Sequence, residues 1–100
     1  MLALYLMALA PVSAAGPKNA AFLNCITSSA GAFLAKSSSR SAYERHIDTA
    51  CAGERQRLRD YIIAKQTGAG RLRSEAEGDA DEFFEIIRVQ LLDLLPIDAR

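Results

Sequence analysis

Apolar side chains recur at the spacing of one helix face in three successive stretches, separated by short polar or glycine-bearing connections. Few folds accommodate that pattern. In "AAFLNCITSSAGAFL", residues 20–34, the side chains of Phe22, Leu23, Ile26, Ala30, Phe33 and Leu34 form a single stripe. Gly16-Pro17 precedes the stripe and places a proline near the first turn, where its missing N–H costs nothing. The stripe ends at Lys36, and "SSSRS" makes a polar turn.

A second stripe carries Tyr43, Ile47, Ala50, Cys51, Leu58, Tyr61 and Ile62. In "SAYE" Ser41 and Glu44 have the spacing of a reciprocal capping box. Gly53 lies inside this stretch and costs about 1 kcal/mol relative to alanine, which softens the middle of the helix. "TGAG" at 67–70 supplies glycines to end it. The third stretch begins after Ser74 or after Asp79, runs through "DEFFEIIRVQLLDLL" and stops before Pro96. Its core stripe is Phe83, Ile87, Leu91 and Leu94. With no strand-like alternation and no internal repeat, the sequence predicts an all-α fold. The expected form is an up-down-up three-helix bundle with helices over about 18–36, 41–67 and 74–95.

Ahead of the bundle, Leu2 to Ala10 are apolar, followed by Pro11 and small residues. Val12-Ser13-Ala14 and Ser13-Ala14-Ala15 each offer small side chains three and one residues before a cut. The run falls short of the roughly 20 residues that span a bilayer. A secretory signal peptide over residues 1–15 and a single helical domain over 16–100 are expected, although no Lys or Arg precedes the apolar run. The expected location is therefore the periplasm or the exterior. An uncleaved segment that holds the protein close to the membrane is the alternative.

Two cysteines and one histidine limit the chemistry. Asn24 stands where a lipidation box needs a small residue, and no C-x-x-C motif or histidine pair supplies a metal or redox centre. A staple between the first two helices fits better. Antiparallel helices joined by a turn over 37–40 place residues level when their numbers add to about 77, so Cys25 and Cys51 lie within about one residue of each other in height. A Cys25–Cys51 disulfide, with secretion providing the oxidising compartment, is the expectation.

The net charge is zero, so nothing draws the chain generally towards nucleic acid. From Lys36 to Arg73 nine basic residues face four acidic ones; from Ser74 to Asp98 Arg88 stands alone against eight acids. A basic helix beside an acidic helix accounts for this asymmetry. Arg55 and Arg59 in "ERQRLRD" share a face, which reads as a solvated side supporting acidic neighbours. His46 falls beside its stripe, while Glu54 falls near the centre of the same stripe between Cys51 and Leu58. A small enzyme would have to use one of these two. No serine-hydrolase motif or phosphate-binding loop accompanies them, so no catalytic, cofactor or metal residue is predicted.

The last helix is apolar nearly all round. Beyond its core stripe lie Phe84, Ile86, Val89, Leu92 and Leu95. Whatever two neighbouring helices leave uncovered, expected at Ile86, Val89 and Leu92, would be an exposed patch. The sequence thus predicts a non-enzymatic interaction protein of binding, chaperone-like or inhibitor-like kind. It would meet a protein partner or a second copy through this helix, with no stable membrane insertion once the signal is removed.

Overall fold

The computed structural model describes residues 17–37 and 39–96; the expected signal peptide lies outside them. Among the described residues the chain is all α-helical, without a strand: α1 Pro17–Leu34, α2 Arg40–Thr49, α3 Ala52–Gly68 and α4 Arg73–Leu92. Four helices therefore replace the three expected. The stretch over 41–67 is interrupted at Ala50, which is extended (φ −67°, ψ 149°), and at Cys51, which is left-handed (φ 60°, ψ 38°). Cys51 is the one non-glycine residue with positive φ among those described. That conformation costs an L-residue roughly 1–2 kcal/mol. Gly53, where softening was expected, sits inside the first turn of α3.

The interruption leaves the register against α1 intact. Phe33 stacks on His46 at 4.8 Å and contacts Tyr43 at 6.0 Å. Ser29 Oγ lies 2.6 Å from His46 Nε2, and Lys18 sits 5.1 Å above the Tyr61 ring. Between these pairs Cys25 and Cys51 form the expected disulfide, with Cα atoms 6.1 Å apart. All five pairs follow the same antiparallel level rule on both sides of the break. Thus α1 packs along α2 and α3 in turn, treating them as one bent element.

The core draws on every helix: Phe22, Ile26 and Ala30 from α1, Tyr43 and Ile47 from α2, and Leu58, Ile62 and Ile63 from α3. Ala76, Ala80, Phe83, Ile87 and Leu91 follow from α4. The small side chains of Ala76 and Ala80, both fully buried, let the start of α4 approach its neighbours closely. Ion pairs tie α4 down at both ends. Arg71 meets Asp79 at 2.8 Å and Arg59 meets Asp81, so the basic and acidic segments do lie side by side. Towards the other end the signs reverse: Arg88 meets Asp48 at 2.8 Å and, more loosely, Glu44 at 4.0 Å. The Asp48 hydrogen bond raises the Arg88 pKa further above its ordinary value.

Helix ends depart from expectation in three places. The Ser41–Glu44 capping box does not form. Instead α2 starts at Arg40 after Ser39, and Glu44 pairs with Arg40 at 3.2 Å. The start of α4 is Arg73, with the Leu72 N–H donating to Glu75 Oε1 at 3.2 Å, so the charge-bearing half of a box forms about two turns earlier than Asp79. Lastly, α4 ends at Leu92. The N–H groups of Leu94 and Leu95 donate three residues back, to Leu91 and Leu92, and helical phase no longer applies. Leu94, expected in the core, is 56% exposed, and Leu95 takes the buried place. The α3–α4 turn matches the glycine signal, with Gly70 at φ 95°.

Two measurements follow from this packing. Reducing the disulfide frees a loop with a sequence separation of 26 residues. Urea unfolding with and without a thiol reductant should differ by about 3–4 kcal/mol by the loop-entropy relation. Tyr43 is fully buried, donates its hydroxyl proton to the Leu91 carbonyl, and has a pKa raised by desolvation. Its stabilising effect is complete below the unfolded tyrosine pKa of about 10 and is lost as pH rises through the higher folded value. Stability should therefore fall above about pH 10, and Tyr43→Phe should blunt that part of the fall in pH-dependent melting.

Candidate functional site

A helix break strands backbone groups on both sides: the last carbonyls of α2 and the first N–H groups of α3. Consecutive residues face the two ends, Glu54 through its charge and Arg55 through hydrogen bonds. Glu54 occupies the first turn of α3, where the positive end of the helix dipole favours a carboxylate. Its position at the centre of a supposed continuous stripe is thereby explained, since the stripe is not continuous. Its side chain is 32% exposed and lies 3.9 Å from Arg57. Arg55 points the other way. Its Nη2 donates to the Ile47 carbonyl at 2.7 Å and to the Ala50 carbonyl at 3.3 Å.

The Arg55 guanidinium also lies over two aromatic rings, 5.3 Å from the centroid of Phe22 and 5.8 Å from that of Phe84. These rings meet edge to face at 5.2 Å. No carboxylate lies within ion-pair distance of Arg55 among the described residues, and its buried Nε has no hydrogen-bond partner there. Beside it, between all four helices, opens a cleft of about 270 Å³. Phe22, Ile26, Ile47, Phe84, Ile87 and Leu91 make its apolar wall. Arg59–Asp81 and Arg88–Asp48 pair across its edges, and Glu85 adds a further carboxylate.

His46 is half-buried between Phe33 and Ser29. A serine hydroxyl at 2.6 Å from an imidazole nitrogen is the first half of a nucleophilic pair. Among the described residues no carboxylate lies within 4.0 Å of the imidazole to orient it as the third member of a triad. The contact thus acts as a pin between α1 and α2. Periodicity alone had left Ser29 unremarked; its level match with His46, the same rule that pairs the cysteines, would have brought it out.

On α4, Val89 is 49% exposed, while Ile86 and Leu92 are half-buried and Leu92 packs against the core. No group of three or more His, Cys, Asp or Glu residues is placed to hold a metal ion among the described residues. None of the described helices is long and apolar enough to cross a membrane. No protein-family model matches the chain, and neither a curated protein nor a solved structure matches it.

Arg55→Met keeps the aliphatic stem over Phe22 and removes the charged donor from two α2 carbonyls. Hydrogen bonds to a charged group contribute about 1.5–3 kcal/mol, so chemical denaturation should show a loss of about that size. Lys at the same position, with a single point charge in place of the fork, should recover only part of it.

Proposed function

We propose that this protein is a small exported, non-enzymatic interaction module that meets a protein partner or a second copy of itself through the end of α4. The carrying observation is the exposure of Val89 and Leu94, 49% and 56%, which with Leu72 at the start of α4 are the large apolar side chains left outside the core among the described residues. The half-buried Ile86 and Leu92 extend the apolar character of this end. Exposed large apolar side chains close together in the chain on a small domain are the raw material of a contact site. Export is supported by the disulfide, since such bonds persist in oxidising compartments, and by the apolar run with small residues at the start of the chain.

Among the described residues His46 has a serine and a phenylalanine for neighbours and Glu54 is held as a first-turn carboxylate, an arrangement that favours a binding role over a catalytic one. Light-scattering chromatography should find the oxidised chain associating with itself, or crosslinking in the native envelope should capture a protein at this surface. Ile86→Asp and Val89→Asp should each weaken that association at least tenfold without lowering helix content. A monomer with no crosslinked partner, indifferent to both substitutions, would refute the reading.

A further inference from the structure

The lining of the cleft beside the bend carries three arginines and three carboxylates, but they are not paired one to one. Two of its arginines are matched by aspartates, Arg59 with Asp81 and Arg88 with Asp48. The third, Arg55, has only two backbone carbonyls and two aromatic faces. Carbonyl dipoles and ring quadrupoles attract a cation without neutralising it. Its buried Nε has no acceptor among the described residues. On one side of this charge the wall is apolar, which lowers the local polarity and strengthens the attraction an anion would feel there.

We propose that the cleft binds a small monocarboxylate with an apolar body, its carboxylate turned towards the Arg55 guanidinium and its hydrocarbon against Phe84, Ile87 and Leu91. A single negative charge suffices for Arg55, because Arg59 and Arg88 are already paired. A second would face Asp48, Asp81 and Glu85 at the edges, which disfavours dicarboxylates and phosphates. Size narrows the class further. A cavity near 150 Å³ accepts benzene, so about 270 Å³ accommodates roughly ten or eleven heavy atoms. Octanoate and 3-phenylpropionate have that bulk. The site is distinct from the exposed end of α4 and does not depend on that surface having a protein partner.

Octanoate, octylammonium and octanol titrated separately into the oxidised, isotope-labelled full chain provide the test. Octanoate should produce saturable NMR shifts at the Arg55 Nε–H and at the methyl groups of Ile47, Ile87 and Leu91. Octylammonium and octanol should bind at least tenfold more weakly. Gln56→Trp, which fills the cleft from its edge while leaving Arg55 in place, should abolish the octanoate shifts with helix content unchanged. The proposal fails if octanoate gives no saturable shift below about 10 mM, a weak limit even on the affinity scale of fragments. It also fails if the three probes bind alike, or if the shifts cluster at Val89 and Leu94 instead. The comparison of the three probes on the unaltered protein decides the matter even if the tryptophan variant does not fold.

Discussion

The bond from Arg55 to the carbonyls of Ile47 and Ala50 is the contact around which this small structure is arranged. A continuous helix over residues 40–68 would have satisfied those carbonyls within its own backbone. Breaking it strands them, and the left-handed Cys51 adds a conformational cost. One side chain four residues past the break offsets much of this by bridging back over it. Because that side chain also rests on Phe22 and Phe84, the same cation joins α1, α2, α3 and α4.

What the bend achieves is visible in the partners of α4. Its first half is held by Arg59 and by Arg71 ahead of it, and its last half by α2 through Arg88, Asp48 and the Tyr43 hydroxyl. Its charges follow this division: the half rich in acids meets arginines, while Arg88 in the last half meets acids. On the opposite side α1 keeps one antiparallel register across the break, pinned by Ser29–His46 and stapled by Cys25–Cys51. Bending in one plane and continuity in the other give a chain of this length a core reached by every helix.

Much of this was legible in the sequence. The apolar stripes locate the outer helix ends to within three residues, the glycines end α3, and the level rule pairs the cysteines without recourse to coordinates. The break was not read, although a signal for it was present: a glutamate in the middle of an apolar stripe is a poor core residue and a good first-turn residue. Periodicity could not choose between these, because the choice depends on an arginine reaching back to carbonyls and on a non-glycine residue taking positive φ. Both are settled by tertiary packing rather than by local preference. The exchange of Leu94 for Leu95 has the same origin, since a helix pattern extrapolated past its last regular turn loses its phase. The cleft could not be foreseen at all, because its lining is assembled from residues far apart in the chain.

The adjacency of Glu54 and Arg55 has a consequence for how such a chain can vary in length. The turn at 69–72 and the connection between α1 and α2 are short links between helices, where an added or deleted residue is absorbed by the loop. Between Ala50 and Arg55 the spacing is fixed from two directions. A single insertion there would rotate α3 by about 100° against α2, carrying the guanidinium away from its carbonyls and Leu58 away from the core. Descendants of this sequence should accordingly show gaps at the two turns and an uninterrupted length across the bend, even where the residues themselves have changed.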